Sequence, residues 1–281
     1  AFMANTQHLY VRTDVLKANG IAIPKTYEEV VAASEKIRAA GKMKYPYAAA
    51  YKAGWNLAEE FVNMYIGHGG EFFEAGSAKP SINNAKGVAT LNMLKKLADL
   101  SNPDYLTHDS EAIKVEWEAG NVAIMTLWAS RSGTLLDDEG DAKITAATKL
   151  VAPATVGGGN IPAATLWWDG FTLAKNRPDA DAEASFRAMA HAASSKEMVA
   201  KAADQAVWLV EGFVPGPKSV GVIEAVKMGA KPYPMLPQMG LMHGALGNEI
   251  VEFLQGNETA EQALKDVEAA YNTKAKEQGF L

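Results

Sequence analysis

Short apolar segments alternate with end-marked helical segments along the whole chain, and this alternation restricts the fold more than any other feature. HLYV, NVAIMTLW, KITAATKLV and LWWDGFTLA read as strands by their β-branched and aromatic content. Between them, Thr26 and Glu29 stand at capping-box spacing ahead of VVAASEKIRAAG, which stops at Gly41. Asn56 and Glu59 repeat that spacing before FVNMYIGHGG. In AKGVATLNMLKKLADL, Val88, Leu91, Leu94 and Leu97 share one helical face. DADAEASFRAMAHAAS, SKEMVAKAADQA and GLMHGALGNEIVEFLQG also read as helices, and a last one opens near Thr259 and Gln262. PATVGGGNIPAAT and VEGFVPGPKSV read as loops. The expected class is α/β, with strands and helices in packed layers.

At 281 residues, with 48% hydrophobic and 21% charged side chains, the chain can bury a large core, and two domains are expected. The net charge is -6 with Lys and Arg dispersed, which argues against nucleic acid and anionic membrane as partners. There is no cysteine, so disulfides, thiolate catalysis and zinc-thiolate sites are excluded. No apolar run reaches the roughly 18 residues that a bilayer span needs. The opening AFMANTQHLYVRTDVL has no basic stretch and no initiator Met, so a processed or trimmed product is expected.

Signatures of catalysis are missing. His8, His68, His108, His191 and His243 never stand at metal-ligand spacing, and neither H-E-x-x-H nor G-x-S-x-G occurs. Gly157 to Gly159 lead into Asn-Ile-Pro rather than a helix start, so a loop is expected, not a phosphate cradle. Asp137, Asp138 and Glu139 precede Gly140 and read as a solvated turn. No catalytic residue, metal or cofactor is called for.

The tryptophans are more informative. Trp128 ends the apolar segment VAIMTLW and is followed by the polar ASRSG, which contains Arg131. Trp167, Trp168 and Asp169 follow a Gly-rich loop, Trp55 precedes a helix, and Trp208 precedes EGFVPGP. Indoles at element ends with polar neighbours suit carbohydrate, whose C–H face stacks on an aromatic plane while polar groups take its hydroxyls. Trp117, on a helical face in VEWEAG, reads as core. Trp55, Trp128 and Trp168 stay open between site and core.

The segment LYVRTDVLKANGIAIPKTYEEVVAASEKIRAAG resembles the family-1 extracellular solute-binding proteins, with their aromatic strand, short helix, G-I-x-x-P-x-T and long helix. EWEAGNVAIMTLWAS, WWDGFTLAKN and MLPQMGLMHGALGNEIVEFLQGNETAEQALKDVE follow in family order. The resemblance implies the two-lobe periplasmic binding protein fold of type II, with the first lobe incomplete, since family members carry a long stretch ahead of LYVRTDVL. Residues 9–166 with 231–281 would form the second lobe, and 172–228 the rest of the first. Hinge crossings would fall near 1–8, 167–171 and 229–230.

The resemblance also implies reversible capture of a sugar and its delivery to an ABC permease in the membrane, by a periplasmic or lipid-anchored protein. It places Trp128 as a stacking ring, Asp169 as an acceptor for hydroxyls, His243 in the cleft and Trp55 in an aromatic region before the second-lobe helix. Glu211 stands where hexose binders tend to carry Lys, which puts a simple glucose assignment in doubt. The expected ligand-binding set is Trp55, Trp128, Arg131, Trp168, Asp169, Glu211 and His243. Three alternatives stay open: a binder of a polyol, polyamine or peptide, a lyase or glycosidase on a similar fold, and a sensor subunit that docks on a receptor. The 172–228 segment keeps apolar faces at Phe186, Met189, Met198, Val199, Val207 and Leu209, so self-association through them, or pairing with the missing N-terminal piece, is expected.

Overall fold

The computed structural model describes residues 1–137 and 140–281. Two of the three acidic residues read as a turn, Asp138 and Glu139, lie outside the described residues. Among the described residues, eight strands form two four-stranded sheets. They are β1 (Met3–Asn5), β2 (Gln7–Arg12), β3 (Tyr47–Ala48), β4 (Ile124–Trp128), β5 (Thr148–Val151), β6 (Thr165–Asp169), β7 (Val207–Trp208) and β8 (Lys231–Pro232). One sheet has the order β7-β1-β6-β8 and the other β3-β4-β2-β5. The chain passes from the first sheet to the second through Thr6 alone, whose hydroxyl donates to the Thr165 carbonyl at 2.8 Å.

β2 organises the second sheet. It lies between β4 and β5, antiparallel to both, and all six of its residues are buried. Because side chains alternate faces along a strand, Leu9 and Val11 enter the larger core cluster while Tyr10 enters a smaller one on the other face. The larger cluster draws on residues 9–163 and on the helices Met239–Glu249 and Ala260–Glu277, with no contribution from 172–228. The smaller one holds Trp117, fully buried as expected of a core residue, with its ring N–H donating to Thr148 Oγ1 at 3.1 Å.

Most helix ends follow the expected signals. Thr26 and Glu29 exchange the two bonds of a capping box at the start of Tyr27–Ala39, and Thr259 accepts from the Gln262 amide at the start of Ala260–Glu277. Four expectations need correction. Asn56 and Glu59 form no capping box: the helix Trp55–Gly67 begins two residues earlier than that spacing requires, after Gly54, and Glu59 is buried. KITAATKLV is a strand only at its end. The carboxylate of Asp141 accepts from the amides of Lys143 and Ile144 and so starts the helix Ala142–Ala147, leaving Thr148–Val151 to pair with β2. SKEMVAKAADQA is helical only over Lys196–Lys201, and LWWDGFTLA leaves the sheet after Asp169. The stretch PATVGGGNIPAAT is a loop held by bridges from Thr155 to Thr26 and Pro162.

The 172–228 region packs differently. Its helix Asp179–Ser194 buries no residue, and Phe186 is 59% exposed. An open groove of about 710 Å³ runs between Phe2, Phe171, Leu173, Phe186 and Leu209. The helix Val220–Lys227 from the same region, by contrast, lies against β2. A Cβ built on Gly221 would come 1.9 Å from the His8 ring. That ring is fully buried, stacks on Tyr10 at 4.4 Å, and is held neutral by burial, with its pKa lowered to about 4. Gly221→Ala should therefore cost about 1–3 kcal/mol through overpacking. Denaturant unfolding of the purified variant checks this, and an unchanged midpoint would mean that the helix can step back from β2.

Candidate functional site

The sequence-expected residues Trp55, Trp128 and His243 come together, and two others join them. Trp55 lies 5.0 Å from His243, 5.9 Å from Trp167 and 6.2 Å from Trp128, centroid to centroid. Trp128 meets Trp167 edge-on at 6.0 Å, and Tyr233 packs on Trp167 at 4.4 Å. These five rings pack into one cluster, a box of side chains in which the Trp55 indole is 51% exposed.

Each ring is placed by local structure. Trp55 is the first residue of its helix because Gly54 takes φ +94 and ψ -133, a conformation that a side chain would disfavour. The Gly54 amide donates to the Gly247 carbonyl at 2.9 Å, and a Cβ on Gly247 would sit 2.1 Å from the Gly54 carbonyl oxygen. The helix Met239–Glu249 thus approaches the turn closely enough to set His243 against Trp55. His243 Nε2 donates to the Trp55 carbonyl and its Nδ1 accepts from the Tyr233 hydroxyl, both at 2.9 Å. Burial lowers the His243 pKa, so the ring is neutral with its proton on Nε2. Trp128 ends β4, and its carbonyl accepts from the Tyr10 hydroxyl at 2.9 Å. Just beyond it, the Ser130 amide donates to Asn5 Oδ1 at 3.1 Å, tying this turn to β1.

The strand pleat separates the two neighbouring tryptophans of β6. Thr165, Trp167 and Asp169 share one face, and Trp168 lies on the other, where it is 55% exposed. Trp167, which the sequence left unassigned, is therefore the member of the box, and Trp168 is not brought to it. Asp169 is half-buried on the Trp167 face, and burial raises its carboxyl pKa. Arg131 ion-pairs with Glu111 at a partly exposed position. Glu211 is exposed and borders the apolar groove with Phe2 and Phe186 rather than the ring box.

Beneath the box lies a polar layer that the sequence did not reveal. Glu59 and Glu60 are both buried, and Glu59 Oε1 accepts from the Thr165 hydroxyl at 2.8 Å and from Trp167 Nε1 at 3.2 Å. Trp167 Nε1 also donates to Thr165 Oγ1 at 2.8 Å. Glu60 accepts from Gln7 Nε2 at 3.0 Å, and Gln7 accepts from Asn63 Nδ2 at 3.1 Å. Burial pushes the pKa of each carboxyl up to about 8, so both hold their protons at neutral pH. Above their ordinary value of 4.5, the unfolded chain releases protons that the folded chain keeps. The stability they confer is complete below that value and is lost as pH rises towards about 8. Unfolding free energy should therefore fall with pH across this window, by up to about 1.4 kcal/mol per pH unit for each proton retained. Denaturant titrations from pH 5 to 9 should show a shallower fall in the Glu59→Gln/Glu60→Gln double variant, and equal slopes would refute the assignment.

Among solved structures, the fold is similar to a maltose-bound MalE3 from T. maritima. The TM-score is 0.84 at 19% identity, covering 96% of this chain and 71% of that one. A ribitol-bound ABC transporter solute-binding protein from Agrobacterium radiobacter matches with TM-score 0.81 at 18% identity, covering 97% and 70%. A D-mannitol-bound one from Agrobacterium vitis matches with TM-score 0.79 at 17% identity, covering 99% and 72%. These matches show the two-lobe binding-protein fold of type II. A curated relative, a probable amino-acid ABC transporter periplasmic-binding protein of Sinorhizobium fredii, is 30% identical over 128 residues. That alignment covers 44% of this chain and spans 29% of the relative's length. Residues 1–200 match the family described as bacterial extracellular solute-binding protein, and with well over half of its length inside that match, the chain is a member of that family.

Proposed function

We propose that the chain is the solute-binding component of an ABC importer, that it captures a sugar or polyol reversibly, and that it hands the solute unchanged to a membrane permease. The observation that carries this is the box of Trp55, Trp128, Trp167, Tyr233 and His243. Stacked indoles offer apolar faces to C–H groups, and none of the five rings carries a charge that would call for an ionic solute. Asp169 lies on the box side of β6 and is the candidate acceptor for hydroxyls. Glu211 lies at the groove instead, so the two carboxylates do not gather into the anionic pocket that a polyamine would need. The relatives whose bound solutes are maltose, ribitol and mannitol support the same class.

In this reading residues 9–166 and 231–281 form one lobe, 172–228 belongs to the other, and the protein works in the periplasm or outside the cell. The absence of any 172–228 residue from the larger core supports the division, although the helix Val220–Lys227 of that segment packs on β2. Affinity then depends on how far the closed arrangement of the lobes is populated.

Calorimetry with maltose, ribitol and D-mannitol should find at least one that binds. Trp128→Ala should abolish that binding with little loss of melting temperature. Loss of about 3–5 kcal/mol of stability with affinity retained would instead identify Trp128 as core. Asp169→Ala should weaken binding by about 1.5–3 kcal/mol, as expected for a charged hydrogen bond. Phe171, Phe186 and Leu209 stand exposed along the groove, so this chain should self-associate through it. Light scattering should give a mass above that of one chain, and a monomer across the micromolar range would count against this contact.

A further inference from the structure

We propose that Glu59 is a positioning residue of the ligand site: it holds Trp167 by the ring N–H and so sets the plane on which a bound solute stacks. This rests on the reading of the ring box as the solute site. The argument starts from helical spacing. Trp55, Glu59 and Asn63 stand four residues apart on the Trp55–Gly67 helix and therefore share one face. Across from that face, Thr165 and Trp167 share one side of β6. The two stripes meet through the hydrogen bonds of Glu59 to Thr165 and Trp167, and through the Thr165 amide donating to Asn63 Oδ1 at 2.8 Å. One helix therefore supplies a ring of the box at its first residue and, a turn later, clamps the ring at the centre of the box.

Trp167 is that central ring, in contact with Trp55, Trp128 and Tyr233. A rotation of its indole would displace all three neighbours. Its N–H is shared between two acceptors, Glu59 Oε1 and Thr165 Oγ1, one on the helix and one on its own strand. A carboxyl is an expensive way to fill a core, and Glu59 leaves Oε2 buried with no hydrogen-bond partner. A residue needed only for packing would be apolar here. The titratable groups that feel the charge of Glu59 are Glu60 on its own helix and Tyr233 after β8, with His243 packed on Tyr233 and Asp169 on the Trp167 face of β6. Burial keeps Tyr233 and His243 neutral, and no Lys or Arg among the described residues forms an ion pair with Glu59. Glu60 titrates in the same range but bonds Gln7 rather than the indole, so the part of the indole N–H response that is lost in Glu59→Gln belongs to Glu59.

The test is a double-mutant cycle on the full chain with Glu59→Ala, Trp167→Phe and the pair, titrated with maltose, ribitol and D-mannitol. Phenylalanine keeps a ring but has no N–H to clamp. Glu59→Ala should weaken binding about tenfold in the native background and should add nothing in the Phe background. Glu59→Gln, which keeps an acceptor oxygen, should recover most of the loss. An equal loss in both backgrounds, or no rescue by Gln, would overturn the proposal, because it would show that Glu59 acts through general stability. A second readout needs no solute. The indole N–H resonance of Trp167 should shift as pH passes through about 8 and should stop shifting in Glu59→Gln. A resonance that titrates unchanged in Glu59→Gln sinks the clamp even if sugars bind. If none of the three solutes binds the native chain, the functional reading fails while the resonance still decides the role of Glu59.

Discussion

The ring box depends on where the three polar groups of Thr165 go. Its amide donates to Asn63, its carbonyl accepts from Thr6, and its hydroxyl lies between Glu59, Asn63 and the Trp167 indole. Thr6 is the residue at which the chain changes sheets, and Asn63 and Glu59 belong to the helix that presents Trp55. A single buried threonine therefore ties the crossing strand, the helix and the returning strand together. Buried polar groups are costly unless paired, and a fully bonded network permits few alternative arrangements. The geometry of the box follows from this knot more than from contacts between the rings themselves, which are non-directional enough to tolerate sliding.

Much of the architecture was legible because it rests on local chemistry. The caps at Thr26 and Thr259, the buried stripe of Leu91, Leu94 and Leu97, and the core role of Trp117 all follow from spacing alone. The short strands β1, β3, β7 and β8 were not, because two or three residues carry no periodicity. The failure at Asn56 and Glu59 has a different cause. A polar residue followed three positions later by Glu is a capping signal only if the chain enters the helix there. At this point Gly54 turns the chain two residues too early, and the carbonyl of Gly247, nearly two hundred residues away, accepts from the Gly54 amide. A tertiary contact thus changed the meaning of a local motif and moved Glu59 from a helix end to the floor of the site.

The choice between Trp167 and Trp168 shows the same limit in a strand. Alternation states that the two must face opposite ways, but not which way. The answer comes from the register of β6 against β1, with Asn5 opposite Trp167 and Ala4 opposite Trp168. Asn5 is bonded to Ser130 beyond Trp128, so its face is the face of the box. By the same register, Trp168 and Ala4 share the other side of the sheet. Sequence reading can place an aromatic residue at a strand end, but pairing decides whether it meets a solute.

A box of neutral rings above neutral carboxyls has a consequence for selectivity. Burial holds the protons on Glu59 and Glu60 at neutral pH and removes the proton from His243, so the interior presents hydrogen-bonding groups without net charge. In the proposed function, a charged solute stacked on these rings would lose hydration without gaining a counter-ion, at a cost well above that of an uncharged one. A polyhydroxylated solute loses only hydrogen bonds that side chains can replace, while its C–H faces gain the indoles. Asp169 is less buried than Glu59 and Glu60, although burial still raises its carboxyl pKa, and in the proposed function a hydroxyl would donate to it without bringing a charge inside. In the proposed function, exclusion of charge and stacking on the indoles would favour the same class of solute, and both would depend on the neutral carboxyls beneath the rings.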